Sequence, residues 1–255
     1  MHLFSKVYGE GEPVVILHGL FGSLNNWNTL GRRLGEDFKV HLVDQRNHGR
    51  SPHDRVHTYQ AMVDDLHDFY REKGIPSAHL IGHSMGGKTA MEFALSYPGA
   101  VRKLVVVDIS PRRTVARHDA ILEALTSLRL ERFTSRGSID EAMKRKIPDL
   151  AVRQFLLTNL KREEDGHFSW KMNLEALRSN YGEINRGIEN GRAFGGPVLF
   201  VRGERSPYIN EEDTSLIKAL FPNAEFRTIS RAGHWVHAEA PDEFLAVVRE
   251  FISSS

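Results

Sequence analysis

Three unbroken apolar runs constrain this chain more than any other feature: Val14-Val15-Ile16-Leu17, Leu104-Val105-Val106-Val107 and Val198-Leu199-Phe200-Val201. A strand with one wet face alternates apolar and polar residues. An unbroken run of strand length is buried on both faces, as in a parallel sheet covered by helices. Val40-His41-Leu42-Val43 and His79-Leu80-Ile81 read as two further strands, and residues 225–229 as a last one. Segments of helical period lie between them. Residues 58–71 place Tyr59, Met62, Val63, Leu66, Phe69 and Tyr70 on one stripe, with Asp64, Asp65 and Asp68 away from it. Residues 89–97 form a second helix, stopped by Pro98-Gly99, and 211–221 a third, stopped by Pro222. Pro241 suits the first turn of a last helix over 241–252. This repetition predicts an α/β fold, a mostly parallel sheet flanked by helices.

One stretch breaks the rhythm. Residues 112–196 contain no convincing strand, and 116–128, 139–146, 150–160 and 174–181 read as short helices with polar joints. That is too long for a crossover between two strands. The expected organisation is a core of residues 1–111 and 197–255 with a helical cap inserted at 112–196. Residues 191–197, with three glycines, are the return linker. The total of 255 residues accommodates one such core and its insertion.

Composition narrows the function classes. Lys plus Arg is 34 and Asp plus Glu is 33, a net charge of +1, so the basic surplus of a nucleic-acid binder is missing. The balance hides an asymmetry: residues 112–196 hold 16 Lys and Arg against 12 Asp and Glu, and the remainder 18 against 21. Nothing approaches the ~18 consecutive apolar residues of a membrane span, and no secretory signal is visible. The expected setting is the cytoplasm, away from membrane, as a monomer or homodimer. With no cysteine at all, disulfides, thiolate metal sites and a thiol nucleophile are excluded.

The strongest chemical motif is Gly82-His83-Ser84-Met85-Gly86-Gly87, between the strand at 79–81 and the helix from 89. Gly-x-Ser-x-Gly in a strand–turn–helix setting lifts a serine hydroxyl above the sheet edge, and the flanking glycines relieve the crowding of so sharp a turn. Ser84 is the expected nucleophile. The helix N-terminus and the Met85 N–H would face a developing oxyanion. Neither nucleotide-binding glycine fingerprint is present, and no cofactor is expected. A serine hydroxyl needs a base. Of thirteen histidines, His234 is best placed, in the loop Arg231-Ala232-Gly233-His234-Trp235 between the last strand and the last helix. His237 would help to hold that loop, and His18 and His48 would structure theirs. His83 should point away from the site when Ser84 faces it. His234-x-x-His237 lacks a third convergent ligand, so no metal is expected.

With His18-Gly19-Leu20-Phe21-Gly22-Ser23 after an early strand, Gly-x-Ser-x-Gly mid-chain and Gly233-His234 near the end, the chain resembles the α/β-hydrolases. Asp44-Gln45-Arg46-Asn47-His48-Gly49-Arg50-Ser51 is similar to that family's Asp-x-Arg-x-His-Gly-x-Ser loop. Taken together, with Ala232-Gly233-His234-Trp235-Val236-His237-Ala238-Glu239, these motifs most resemble the YbfF-type esterases. The resemblance covers nearly the whole chain, most loosely residues 112–196. It implies a Ser–His–acid triad with the base last in chain order.

The acid departs from the common family pattern, which places it in the loop after the strand that follows the cap. Here that loop reads Gly203-Glu204-Arg205-Ser206-Pro207-Tyr208, with Ser206 in the usual aspartate slot. Asp108, at the carboxyl end of the strand before the cap and 24 residues after Ser84, is the first candidate. Its Asp108-Ile109-Ser110-Pro111 run resembles the YbfF-type arrangement. Glu204 is the alternative acid. The second oxyanion donor is expected from the backbone N–H of Leu20 rather than Phe21. Phe21, His83, Phe155, Trp170 and Trp235 are candidates for the substrate pocket. Asp44 and Arg46 are expected to pair and brace the elbow, with an anionic substrate as the other use of Arg46. Lys88 is expected on the helix surface, with substrate contact as its other use.

The function these residues imply is a serine carboxylesterase or thioesterase acting on small acyl esters or thioesters. Carbon–carbon bond hydrolysis or perhydrolysis on the same triad is the alternative, and a ligand-sensing hydrolase-like receptor the alternative of another class. Dehalogenases and epoxide hydrolases resemble the fold but carry Asp at the elbow.

Overall fold

The unbroken apolar runs lie in the middle of a seven-stranded sheet. The computed structural model describes residues 1–189 and 191–254. The first part of the chain forms β1 (Ser5–Tyr8), β2 (Pro13–Leu17), α1 (Asn28–Leu34), β3 (Lys39–Val43), α2 (Tyr59–Glu72), β4 (Ala78–His83), α3 (Met85–Ser96) and β5 (Val101–Val107). An insert follows, with α4 (Asp119–Ser127), α5 (Arg136–Lys144), α6 (Leu150–Leu157), β6 (Leu160–Arg162), β7 (Phe168–Trp170), α7 (Leu174–Ser179) and α8 (Tyr181–Ile184). The chain then returns through β8 (Val198–Gly203), α9 (Asp213–Leu220), β9 (Ala224–Ile229), α10 (Val236–Glu239) and α11 (Pro241–Ser253).

The strand order is β1-β3-β2-β4-β5-β8-β9, parallel throughout except for β1, which runs antiparallel to β3. Register explains the apolar runs: Ile81 stands beside both Ile16 and Val105, and Val105 beside Leu199. Successive residues point to opposite faces, and both faces are covered. Val15, Leu17, Leu80, Leu104, Val106 and Phe200 pack under α2, α3 and α9, whereas Val14, Ile16, Ile81, Val105, Leu199 and Val201 pack under α1 and α11.

Two features were silent in the sequence. The edge strand β1 is partly polar and half exposed, because only one side of it meets a neighbour. The expectation of no strand at 112–196 is corrected by the antiparallel hairpin β6–β7, where Leu160 pairs with Trp170. The insert has a core of its own around Leu122, Leu125, Ile139, Met143, Leu156 and Leu177. That core continues into Phe21, Tyr59 and Met85, so the insert packs directly over the carboxyl ends of the strands. Among the described residues, no helix is long and apolar enough to cross a membrane.

Candidate active site

Ser84 follows β4 directly and Asp108 follows β5, and these strands are neighbours with His83 beside Val107. The ladder carries on past the strand ends: Ser84 N donates to Val107 O at 3.0 Å and Asp108 N to Val201 O at 2.8 Å. Both residues hold a left-handed φ of 53°. This is unfavourable for a side-chain-bearing residue, and it turns each side chain up from the sheet edge. The turn at Ser84 needs its glycines. A Cβ on Gly82 would stand 2.2 Å from Gly86 O, and one on Gly86 2.5 Å from His18 O.

His234 arrives from the loop after β9. Its Nδ1 donates to Asp108 Oδ2 at 2.7 Å, which leaves Nε2 to accept from Ser84 Oγ at 3.1 Å. The structure thus brings Ser84, His234 and Asp108 into one hydrogen-bonded chain. Asp108 is fully buried, and its other oxygen accepts from Gly203 N at 3.0 Å. The Ser206 hydroxyl also donates to Asp108 Oδ2. The alternative acid, Glu204, is exposed and turned elsewhere, accepting from Arg231 N at 2.8 Å.

Three rings hold the His234 loop. Tyr208 stacks on His234 at 4.1 Å between ring centroids, and His237 stacks on Trp27 at the same distance. His83 is buried, and its Nε2 donates to the His234 carbonyl at 2.9 Å. Burial, then the neighbouring His237 and His234, push the His83 pKa well below the usual imidazole range. Burial likewise takes His237 down to about 3. Both rings therefore stay neutral and leave the site without added positive charge.

Leu20 and Met85 stand beside Ser84 on the wall of a narrow hollow of about 20 Å³. The turn carrying Leu20 is closed by Gly22 N donating to Gly19 O at 3.0 Å. His18 braces it from below: Nδ1 donates to Gly19 O at 2.8 Å, and Nε2 accepts from Gln45 N at 3.0 Å. Burial lowers the His18 pKa to about 4, so this ring too is neutral. A larger cavity of about 200 Å³ also reaches Ser84 and includes Phe21, His83, Phe155 and Trp235 in its lining. Its remaining walls are mostly apolar, with Trp27, Ile121, Val152 and Leu156.

Three expectations are corrected. Trp170 does not reach this cavity; on the β6–β7 hairpin it lines a separate hollow with Leu125, Leu130 and Leu174. Arg46 does not pair with Asp44. It forks onto Asp65 of α2, with Nε donating at 2.6 Å and an outer nitrogen at 3.0 Å. Asp44 instead accepts from Leu24 N at 2.7 Å and Arg50 N at 2.9 Å, so the loop is braced through backbone. Lys88 is not on the surface, because the insert covers α3 there. It is 1% exposed, and Nζ donates to Arg186 O at 2.5 Å. Burial and the nearby Arg186 lower its pKa to about 7.

Sequence reasoning missed Tyr208 and His118, which line both hollows beside Ser84. His118 comes from the insert, and burial takes its pKa to about 4. Neither residue sits in a motif, so no local signal marked it. Ser206 had a signal, since it fills an aspartate slot.

A parallel sheet with a Ser–His–Asp chain at its carboxyl edge and an insert between two strands is the architecture of a hydrolase. Residues 12–241 match the family described as the alpha/beta hydrolase fold, and the chain belongs to the α/β-hydrolase family. It stands among that family's esterases and lipases. It is 42% identical over 253 residues to the sn-1-specific diacylglycerol lipase ABHD11 of Xenopus laevis, covering 96% of this chain and 81% of that protein. It is 40% identical over 245 residues to esterase YbfF of Escherichia coli strain K12, covering 96% and 94%. Among solved structures, a marine microorganism esterase superposes with a TM-score of 0.95 at 43% identity over 98% of each chain.

Proposed function

We propose that this chain is a serine carboxylesterase for small acyl groups, with residues 112–196 acting as a cap over Ser84. The observation that carries the reading is the continuous path from Ser84 Oγ through His234, at 3.1 Å and 2.7 Å, to the buried Asp108 carboxylate. Ser84 Oγ attacks the ester carbonyl carbon as its proton passes to His234 Nε2. Asp108 holds the ring in the tautomer that can accept this proton and stabilises the cation that forms. The N–H groups of Leu20 and Met85 receive the tetrahedral oxyanion, and the positive end of α3 supports them. The intermediate collapses to acyl-Ser84, and the alcohol leaves with the proton from His234. Water then attacks the acyl group, gives a proton to Nε2 and releases the acid when Ser84 recovers it.

The cavity supports a small substrate. At about 200 Å³ it lies below the range usual for drug-sized ligands, and its walls are largely apolar. A short acyl ester suits it better than a glyceride with two long chains.

The test is a series of p-nitrophenyl esters from acetate to octanoate, together with a fluorophosphonate label. Turnover should be highest for the short chains, and the label should attach to wild type and not to Ser84→Ala. Folded protein with neither turnover nor labelling would reject the reading. Repeating the series with acyl thioesters measures how far the same site serves them.

A further inference from the structure

We propose that Asn159, supplied by the insert, is a positioning residue for the oxyanion loop. Phe21 is the third residue of the turn that carries Leu20, and its φ of 59° is left-handed. A side-chain-bearing residue holds that conformation only when its surroundings enforce it. Two contacts on Phe21 come from the insert. Asn159 Nδ2 donates to the Phe21 carbonyl at 2.7 Å. His118, also of the insert, packs edge-on against the Phe21 ring at 5.9 Å.

Asn159 is built to act as a rigid post. It is 1% exposed. Its own N–H donates to Leu156 O at 3.0 Å, and its carbonyl accepts from Lys171 N at 2.8 Å, tying it to the end of α6 and the exit of the hairpin. The second amide hydrogen points to Leu156 O at 3.3 Å. The side chain is therefore fixed before it meets the core, and the hydrogen bond it makes there is between two buried groups. Leaving the Phe21 carbonyl unpaired in that place is unfavourable.

The consequence is a coupling between the insert and catalysis. If the insert shifts, Phe21 loses one of the contacts that hold its turn, and the adjoining Leu20 N–H loses its aim. A misaimed oxyanion donor weakens transition-state stabilisation far more than ground-state binding. The insert thus completes the reacting centre as well as covering it. Asn159 does this through Phe21, without touching substrate.

The inference rests on the roles proposed above for Ser84 and Leu20. Its test compares wild type with Asn159→Leu in p-nitrophenyl butyrate hydrolysis, in binding of butylboronic acid and in binding of butyramide. The boronate forms a tetrahedral adduct on Ser84 that places an oxygen toward the oxyanion donors, whereas butyramide only occupies the cavity. The expected result is a fall in kcat of about 10- to 100-fold, with KM within about twofold. The boronate should weaken by a similar factor and butyramide should bind unchanged. An unchanged kcat, or equal weakening of boronate and butyramide, would overturn the inference. If Asn159→Leu does not fold, Asn159→Ser carries the same readings, because its hydroxyl falls short of the Phe21 carbonyl. A wild type that neither turns over ester nor takes the fluorophosphonate label refutes the esterase reading instead.

Discussion

Ser206 donates its hydroxyl hydrogen to Asp108 Oδ2, the same oxygen that accepts from His234 Nδ1. The loop position that commonly carries the acid in this family thus holds a hydroxyl donor to a carboxylate at the end of the neighbouring strand. Asp108→Asn should lower kcat by about 10⁴-fold with the fold intact, because the amide favours the wrong histidine tautomer. Ser206→Ala should cost far less, since Gly203 N still holds the carboxylate. Ser206→Asp alone should be harmful, because it sets two mutually repelling carboxylates at one imidazole. Combined with Asp108→Asn, the same change should restore part of the activity by returning a single carboxylate to the site. Steady-state kinetics on the four variants decides this, and no recovery in the double variant would mean that position 206 cannot present a carboxylate to His234.

Arg46 and Asp65 form a buried pair between the loop after β3 and helix α2, with Arg46 8% and Asp65 2% exposed. Arg46→Met should destabilise the fold by about 3–5 kcal/mol, since it leaves a buried carboxylate short of its main partner. Asp65 still accepts from the Met1 amine at 2.7 Å, which favours the lower end of that range. Adding Asp65→Leu should recover much of the loss. Urea denaturation measures both. Activity of the folded Arg46→Met protein should stay near wild type, and a selective rise in KM for anionic esters would instead assign Arg46 to substrate.

Acid should unfold this protein early. Burial lowers the pKa of His18 and His118 to about 4 and of His48 and His237 to about 3. In the unfolded chain these rings titrate near 6.5, so between that pH and their folded values the unfolded state binds more protons. Stability is then complete above about pH 6.5 and declines as pH falls, by up to about 1.4 kcal/mol per pH unit for each ring. Urea midpoints at pH 7, 6 and 5 should fall progressively. A flat profile would show that these rings can charge without leaving their places.

Lys88 predicts a slope at the other end of the scale. Its folded pKa of about 7 lies below the 10.5 of a free lysine, so the unfolded state binds the extra proton between those values. Stability should rise with pH across that window, relative to a variant lacking the amine. Lys88→Met should remove this rise, and the difference between the two urea-midpoint profiles is the measurement. Parallel profiles from pH 7 to 10 would show that the amine is solvated.

Legibility in the sequence followed the range of each interaction. Strands β2, β5 and β8 were plain because burial on both faces excludes polar residues from the run itself. Strand β1 was not, since an edge strand has one neighbour and tolerates Ser5 and Lys6. The hairpin β6–β7 was hidden because each strand has only three residues, too few for a period. Lys88 reads as a surface lysine on any helical pattern, yet its ammonium meets the Arg186 carbonyl of the insert. Arg46 and Asp44 are close in sequence, yet the guanidinium reaches a carboxylate nineteen residues along the chain.

The α/β alternation and the glycine-bounded turn at Ser84 were legible from the chain alone. These depend on runs and glycines a few residues apart, where local sterics and burial leave direct marks. Which carboxylate faces His234 Nδ1, what Ser206 does beside it and how Asn159 reaches the Phe21 carbonyl came from the assembled fold. Each of those is a distance between groups far apart in the chain. It follows from strand order and from the seating of the insert, and no local pattern records it.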